Sequence, residues 1–391
     1  MPEAIQSAAS GTERPGARAA ARAAISYGLY YTGLLGTVRS VAKSHYLETV
    51  AGSAIPKLRR DAFSKFAILC YHRVGTEGVP YFSRLDPAAF EAQMRYLKKH
   101  YRVIPLSQMC SELLESRNVE PTIAITFDDG YKDLYSYAFP VLRKYGIPST
   151  IYLIGQCMEN GEAPWYDRIF AALKYANIPV LEVQLNELRS FQLNSQDSRN
   201  AAAWEIVCYL RSIPDTQRRT WCAHFERNYP VPQSEITSRI LDWAQVREMS
   251  GAGVDFGAHT MTHPSVSRLE GDAFTEELIQ SKKLLEDRLD NPVHDFAYPF
   301  GKDTDRSAIS EQVLRSAGYR SAVTTIDGYN SAGANPLELR RVQIGNDASM
   351  AGFAFGITRL FLECPAVKQS EDRTAGISPL SVQNGQLRER E

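Results

Sequence analysis

The sequence predicts an α/β fold with a mainly parallel sheet, and two observations support this prediction. Two short apolar runs, 66–71 and 122–127, have the composition of buried strands, and the second is β-branched for most of its length. Helical patterns lie between such runs, and Asp86-Pro87 opens one of them with an N-cap and a first-turn proline. Strands that alternate with helices run parallel, so functional side chains gather at the carboxyl ends of the strands.

The predicted elements follow one another along residues 66–344. Strands are expected at 66–71, 122–127, 149–154, 254–258, 293–298, 321–325 and 339–344, with a short extended piece at 101–106. Helices are expected from 86 onward and over 134–145, 274–289 and 309–317.

The alternation is interrupted between 154 and 254. A strand–helix unit of a (β/α) barrel takes about 30 residues, so residues 157–245 are interpreted as a helical insertion, with patterns at 167–175 and 201–213. Its aromatic residues leave two alternatives open. The insertion is either a lid or wall of the substrate site, or a peripheral unit with its own small core.

Composition argues against a nucleic-acid partner and favours a reducing compartment. The 391 residues carry a net charge of −1 without a basic stripe, so a nucleic-acid partner is not expected. The six cysteines show no paired spacing, which excludes a zinc ribbon and a disulfide framework. Buried free thiols, and hence a reducing compartment, are the expectation.

The two ends of the chain are expected to lie outside the folded domain. Residues 1–64 begin with an Ala-, Gly-, Ser- and Arg-rich segment that predicts disorder, and an uncharged stretch over 23–38 follows. That stretch is shorter than the ~20 apolar residues of a membrane span, and it lacks a signal-peptide cleavage region. Residues 23–42 therefore form either an interfacial helix with peripheral membrane contact or a helix packed on the domain. A cytoplasmic or membrane-peripheral location is favoured over secretion, and 365–391 is a disordered tail.

Two short stretches, each of which follows a strand-like run, contain the candidate metal ligands and the candidate base. Asp128 and Asp129 follow the run at 122–127, and His259 and His263 follow the run at 254–258. Two imidazoles and one carboxylate are a common ligand set for a divalent metal that keeps open positions for water or substrate. The second carboxylate is then free to act as a base.

These stretches, Thr126-Phe127-Asp128-Asp129-Gly130 and His259-Thr260-x-x-His263-Pro264, resemble the first two motifs of the polysaccharide deacetylases of carbohydrate esterase family four. The resemblance to this NodB-homology family covers roughly 66–344. It implies a distorted, incomplete (β/α) barrel, here over residues 65–364. It also implies an enzyme that uses a metal to remove N- or O-acetyl groups from glycans. An N-acetylated glycan is the implied partner, whereas its identity and the oligomeric state stay open.

Two family motifs are altered in this chain. The segment 296–301 resembles the third motif, but its arginine position holds Ala297. Arg340 or Arg341 is expected to take over the contact with the catalytic Asp, and Arg341 is preferred because related members carry Leu-x-Arg there. The last motif, which supplies a histidine as general acid, is absent. His72 ends the first strand, as in the poly-N-acetylglucosamine deacetylase branch, and is either the substitute acid or a structural histidine.

The resemblance assigns a role to each remaining residue. Asp129, His259 and His263 are expected to hold a divalent ion, zinc first, with cobalt, nickel or other ions possible. Asp128 is the expected base and His72 the acid. The backbone N–H of Phe300 is expected to hold the oxyanion, with Tyr298, Pro299 and Arg341 beside the substrate. The alternatives are a catalytically degraded glycan-binding protein and a two-histidine, one-carboxylate iron oxygenase.

Overall fold

The structure is a computed structural model, described here for residues 25–27, 29, 30, 32, 34, 65–76, 84–115, 120–237, 239–345 and 349–362. The predicted tail at 365–391 lies outside these residues, as does most of the predicted interfacial segment at 23–42. In that segment, Leu29 and Tyr30 pack partly buried against the main core, whereas the large apolar side chains of Ile25, Tyr27 and Leu34 are exposed. No helix within the described ranges combines the length and the apolar character that a membrane span requires.

Strands and helices alternate through the first part of the domain. They are β1 (Lys65–Tyr71), α1 (Pro87–His100), β2 (Arg102–Val103), α2 (Leu106–Glu115), β3 (Thr122–Phe127), α3 (Phe139–Tyr145), β4 (Ser149–Leu153) and α4 (Gly155–Asn160). Asp86 caps α1, because its carboxylate accepts hydrogen bonds from the backbone N–H groups of Ala88 and Ala89. A π-helical turn over Leu134–Ala138 precedes α3, and Gly146 ends α3 in the left-handed conformation.

The expected insertion follows α4, but it is only partly helical. It contains α5 (Trp165–Tyr175), β5 (Val180–Gln184), β6 (Leu188–Gln192), α6 (Gln196–Ser212), α7 (Asp215–Asn228) and α8 (Gln233–Ile236), and α9 (Trp243–Gly251) leads back to the sheet. Strands β5 and β6 pair as an antiparallel hairpin, which the description as a helical insertion missed. Leu181 is buried between exposed neighbours in β5, which is the period-two pattern of a strand with one covered face.

The last part returns to alternation. It contains β7 (Val254–Ala258), α10 (Ala273–Leu289), β8 (Asp295–Ala297), α11 (Ser310–Ser316), β9 (Ser321–Val323), β10 (Asn330–Ser331), β11 (Val342–Gln343) and α12 (Met350–Leu362). Single 3-10 turns lie at Val266–Arg268 and Asp303–Asp305. The predicted strand at 339–344 is shorter than expected, and β10 was not predicted.

Nine strands form one curled sheet in the order β10-β1-β3-β4-β7-β8-β9, with β11 paired to β1 and β2 paired to β3. Every pairing is parallel except that of β10 with β1. The carboxyl ends of β3, β4, β7 and β8 therefore lie at one rim. The predicted α/β class with an incomplete barrel is confirmed.

Two buried clusters lie on opposite faces of this sheet. The inner cluster includes Phe66, Ile68, Ala124, Tyr152 and Ala297, and α2 adds Leu106, Met109 and Leu113 at helical spacing. Helix α2 therefore helps to fill the barrel interior, although the sequence analysis had expected only an extended piece at 101–106. The outer cluster packs the other face of the strands against the surrounding helices.

The insertion has a core of its own. Residues of α5, α6 and α7 bury one another in a separate cluster that includes Trp165, Tyr166, Ile206, Leu210 and Phe225. This cluster fits the alternative of a unit with its own small core, but Phe300 of the barrel rim also packs against it. The insertion is therefore attached to the rim at which the predicted site lies.

Gly257 in β7 offers a test of the inner packing. A Cβ at this position would lie 2.6 Å from the Tyr152 ring and 2.7 Å from the backbone oxygen of Asp295. We expect Gly257→Ala to lower the free energy of unfolding by about 1–3 kcal/mol, because the ring and the adjacent strand must move. Gly251→Ala is the control, since nothing lies within 4 Å of its Cβ. Urea unfolding measures both, and equal stabilities would contradict the close packing.

Candidate active site

The two aspartates leave β3 in a strained turn. The backbone N–H of Asp128 still donates to the Tyr71 carbonyl, which extends the β1–β3 pairing by one bond. Asp129 then adopts φ +71° and Gly130 φ +73°. A left-handed conformation costs a non-glycine residue roughly 1–3 kcal/mol, so the surrounding structure must hold Asp129 there. The turn separates the two neighbouring carboxylates and gives each a different environment.

The histidine loop (259–264) leaves β7 in a similarly strained form. Thr260 has φ +63° and His263 φ +55°. The Thr260 hydroxyl accepts a hydrogen bond from the backbone N–H of His263 at 3.0 Å, which closes the loop on itself. The sequence predicted a turn at this point, and the structure adds how it is stabilised.

Glu277 of α10 stabilises the histidine loop by accepting hydrogen bonds from it. One of its carboxylate oxygens accepts hydrogen bonds from the backbone N–H groups of Met261 at 2.6 Å and Thr262 at 2.9 Å. The other accepts the Thr262 hydroxyl at 2.7 Å and a guanidinium nitrogen of Arg219 at 2.9 Å. Glu277 is buried although it is charged. Glu277 was not predicted, and the only signal in the sequence is an acidic residue on the mostly apolar face of the helix that follows the histidines.

Asp129, His259 and His263 converge at the rim. The Nε2 atoms of His259 and His263 lie 3.6 and 3.5 Å from the same Asp129 oxygen. The Nδ1 atom of His259 lies 2.7 Å from the carbonyl oxygen of Ala297, so an Nδ1–H donor leaves the Nε2 lone pair directed at Asp129. All three side chains are buried, and their donor atoms lie within 4.8 Å of one another.

The donor set fits a divalent cation. Among the described residues, no group makes a hydrogen bond of good geometry with either carboxylate oxygen of Asp129, although the Tyr166 hydroxyl interacts with this group and opposes the rise in its pKa that burial causes. An ion bonded at about 2.0–2.2 Å to two imidazole nitrogens and a carboxylate oxygen would separate those donors by distances close to the ones observed. A cation would also compensate the buried carboxylate, which is otherwise unfavourable.

Burial is the main cause of the pKa shifts of Asp129, His259 and His263. Burial raises the pKa of the Asp129 carboxyl well above its usual range, and the negative charge of Asp128 adds to this effect. Burial lowers the pKa of His259, and burial together with the neighbouring His259 lowers the pKa of His263 well below the usual value. Both imidazoles are therefore neutral at neutral pH, which is the form that binds a metal.

Asp128 is held by the guanidinium of Arg341. Two parallel hydrogen bonds of 2.7 and 2.6 Å join the two groups, and Arg341 is fully buried. Burial alone would raise the pKa of Asp128, but the charge and hydrogen bonds of Arg341 outweigh it and hold the pKa well below its usual range. The neighbouring Arg340 instead donates to the backbone oxygen of Asp327. Of the two candidate arginines, Arg341 is thus the one that reaches the carboxylate.

His72 and Cys70 lie near Asp128 Oδ2, an oxygen that also accepts a hydrogen bond from Arg341. The Nε2 atom of His72 lies 3.9 Å from Asp128 Oδ2, and the thiol of Cys70 lies 3.6 Å from the same oxygen. Burial lowers the pKa of His72 to about 4, although the Asp128 charge opposes this shift. The imidazole is therefore neutral at neutral pH and must take up a proton before it can act as an acid. Cys70 was predicted only as a buried thiol.

Phe300, the expected oxyanion donor, packs against the histidine loop. Its backbone has φ +57°, and its ring centroid lies 4.9 Å from that of His263. No described group accepts a hydrogen bond from the backbone N–H of Phe300, which leaves this donor available to a ligand. The carbonyl of Pro299 accepts the N–H of Gly301 at 2.6 Å, so these three residues form a tight turn.

Tyr298 does not contribute its side chain to the site. Its ring packs in the outer cluster beside Phe296, and its hydroxyl donates to the backbone oxygen of Leu337 at 3.3 Å. Residues 296 and 298 share the face of the strand opposite to Ala297, so the predicted substrate contact of Tyr298 is not favoured by the burial of its side chain.

The insertion forms one wall of the site. Trp165 donates its indole N–H to the backbone oxygen of His263 at 3.1 Å, and the Tyr166 ring centroid lies 5.0 Å from that of His263. The guanidinium of Arg211 lies 4.7 Å from the centroid of the Phe300 ring. From the sequence, the aromatic residues of the insertion were considered only as a group. These contacts favour the alternative in which the insertion lines the site.

The support by Glu277 can be tested. We expect Glu277→Gln to weaken metal binding by about 10–100-fold, because an amide cannot accept all the hydrogen bonds that hold the histidine loop. Glu276→Gln is the matched control, since Glu276 is an exposed neighbour on the same helix. Competition with a chromophoric chelator measures both dissociation constants. Equal affinities in the two variants would contradict the supporting role.

Comparison with known proteins places this geometry in a family. The model of the polysaccharide deacetylase family matches residues 115–322, more than half of the chain. YxkH of Bacillus subtilis, which carries the name polysaccharide deacetylase, is 23% identical over 304 residues, covering 76% of this chain and 77% of that protein. The poly-β-1,6-N-acetyl-D-glucosamine N-deacetylase of Staphylococcus epidermidis is 30% identical over 124 residues, 28% of this chain and 42% of that protein. The Streptococcus pyogenes deacetylase PplD, solved in complex with acetate, has a TM-score of 0.52 at 20% identity and covers 76% of this chain and 98% of its own. The chain therefore belongs to the polysaccharide deacetylase family.

Proposed function

We propose that this protein is a metal-dependent hydrolase that removes acetyl groups from the N-acetylated sugars of a glycan. The observation that carries the proposal is the buried Asp129, which lies between two imidazole nitrogens without a hydrogen-bond partner among the described residues. A second carboxylate, Asp128, directly precedes it in the chain and is held ionised by Arg341. A metal-ligand set beside an independent base is the arrangement that amide hydrolysis requires.

Different residues of the chain have different roles in the proposed reaction. Asp129, His259 and His263 would hold a divalent ion, zinc first, which when bound supplies a Lewis acid for the acetyl carbonyl and makes water a better nucleophile. Asp128 accepts the proton of the attacking water. The backbone N–H of Phe300 donates a hydrogen bond to the oxyanion that develops.

The proton then has to reach the leaving amine. Arg341 holds the pKa of Asp128 well below its usual range, so Asp128 is ionised at neutral pH and passes on an accepted proton readily. His72 is neutral at neutral pH and lies 3.9 Å from Asp128. His72 therefore receives the proton from Asp128 and passes it to the amine, which leaves as the free amino sugar while the acetyl group leaves as acetate. This order of events balances the proton without a histidine that is charged beforehand.

The substrate class rests on relatives. The S. epidermidis relative is named for poly-β-1,6-N-acetyl-D-glucosamine, but the matched region covers less than half of that protein. An N-acetylated hexosamine polymer is therefore the first substrate to test. The half-buried Phe300 and the Trp165–Tyr166 wall of the insertion would bound the space beside the metal ligands.

A glycan-binding protein without catalysis is the second candidate. Ala297 replaces the third-motif arginine, and the last-motif histidine is absent, which favours this reading. The Arg341–Asp128 pair argues against it, because binding alone requires no buried base. An iron oxygenase would also leave Asp128 without a role, and it would consume oxygen instead of releasing acetate.

An acetate-release assay over N-acetylglucosamine oligomers of increasing length, with the zinc-loaded protein, tests the proposal. We expect acetate and free amine in equal amounts, and none from Asp129→Ala. Glycan binding without acetate release by a fully metal-loaded protein would favour the binding protein. Oxygen consumption would favour the oxygenase.

The different roles proposed for Asp128 and Asp129 predict different effects of their amide variants on metal content and turnover. Asp128→Asn should retain the metal, because Asp129 is the proposed ligand, and should lose roughly 10²–10⁴-fold in turnover. Asp129→Asn should lose the metal itself. Metal analysis and turnover, measured on the same samples, check both. If Asp128→Asn loses the metal and Asp129→Asn keeps it, the two roles are reversed.

The role of His72 is tested by comparing two leaving groups. His72→Ala should retain the metal and lose turnover mainly on amide substrates, because an amine needs a proton to leave. The loss should be much smaller on an activated aryl acetate, whose phenolate leaves without a proton. Equal losses on both substrates would mean that His72 orients the site, and no loss on either would make it a structural histidine.

A further inference from the structure

A second set of potential metal ligands lies beside the first. The Cys70 thiol, a ring nitrogen of His72 and a carboxylate oxygen of Asp128 all lie within 4.8 Å of one another. Asp128 Oδ2 is 3.6 Å from the sulfur and 3.9 Å from His72 Nε2. The proposed reaction uses His72 and Asp128 but gives Cys70 no function.

The chemistry of this set differs from that of the first. Sulfur, nitrogen and oxygen donors together suit a thiophilic or borderline cation such as Zn²⁺ or Co²⁺. An ion about 2.3 Å from sulfur, about 2.0–2.1 Å from nitrogen and about 2.0–2.2 Å from oxygen fits the observed sulfur–oxygen separation and requires His72 Nε2 to move towards Asp128 by roughly half an ångström. The His72 side chain is 23% exposed at the mouth of the site, so it has room to make that adjustment.

Electrostatic repulsion should make the Cys70 set (Cys70, His72 and Asp128) bind a cation more weakly than the Asp129 set (Asp129, His259 and His263). Asp128 already forms two hydrogen bonds with the buried guanidinium of Arg341. The positive charge of Arg341, together with an ion at Asp129, opposes another cation nearby. Asp129, by contrast, has no hydrogen-bond partner among the described residues. The Asp129 set therefore fills first, and the Cys70 set fills only when metal is in excess.

We propose that Cys70, His72 and Asp128 form a second, weaker and inhibitory cation site. A cation there bonds to the thiolate sulfur while the thiol proton leaves to solvent, and it occupies the two groups that transfer protons in the proposed reaction. Excess Zn²⁺ should then stop turnover without displacing the first ion. The inhibitory effect rests on the proposed function, whereas the binding itself does not.

A Co²⁺ titration of the metal-free full-length protein separates the two sites, because only the second contains sulfur. We expect the first equivalent to give visible bands without a sulfur-to-cobalt charge-transfer band in the near ultraviolet, and the next to add that band. Cys70→Ser and Cys70→Ala should each lose only the charge-transfer band. Cys208→Ser, which alters an exposed thiol, should keep it.

His259→Ala supplies the reciprocal control, since it should lose the first event and retain the charge-transfer band. Absence of the band at a large excess of Co²⁺ would overturn the proposal, as would its persistence in the folded Cys70 variants. In the acetate assay, excess Zn²⁺ should inhibit the unmodified protein by roughly 10²-fold, the lower end of what a positioned base contributes. Equal inhibition of the Cys70 variants would contradict the inhibitory role, and the titration remains decisive if no substrate is turned over.

Discussion

The buried carboxylate of Asp129 is the constraint on which the rest of the site depends. It lies between two imidazole nitrogens and has no hydrogen-bond partner among the described residues. Ionising this buried carboxyl group without a counter-charge would cost several kcal/mol, and the strained backbone at Asp129 carries a cost of its own. The neighbouring structure holds this unfavourable arrangement in place, since Glu277 anchors the histidine loop and the Ala297 carbonyl orients His259. A cation at this point would stabilise the ionised form of Asp129, which burial alone disfavours.

Two adjacent aspartates acquire opposite properties because only one of them is paired. Arg341 holds Asp128 in its ionised form, whereas burial and the charge of Asp128 favour the protonated form of a metal-free Asp129. The guanidinium comes from the segment just before β11 and not from the third motif, where Ala297 stands. A buried guanidinium therefore contacts Asp128 even though the third motif has no arginine. This arrangement argues that the altered third motif is a replacement and not a loss.

The sequence predicted the parts of the structure that depend on local pattern. Strand composition and turn residues located β3, β7 and the two motifs, and parallel pairing placed their ends at one rim. Contacts between distant segments could not be predicted, because Trp165 meets His263 and Glu277 meets the histidine loop only after folding. Tyr298 is different, since strict application of the two-residue period of a strand would have placed it on the outer face with Phe296. The hairpin in the insertion was missed because helical patterns flank it on both sides.

The metal content of two histidine variants tests the central claim most directly. The protein, His259→Ala and His263→Ala are dialysed against metal-free buffer after zinc loading, and metal per chain is measured by mass spectrometry. The account predicts about one ion per chain in the unmodified protein and nearly none in either variant. The circular dichroism spectrum should be unchanged, because the ligands lie at the barrel rim and not in the inner cluster. Full occupancy in either folded variant would contradict the assignment.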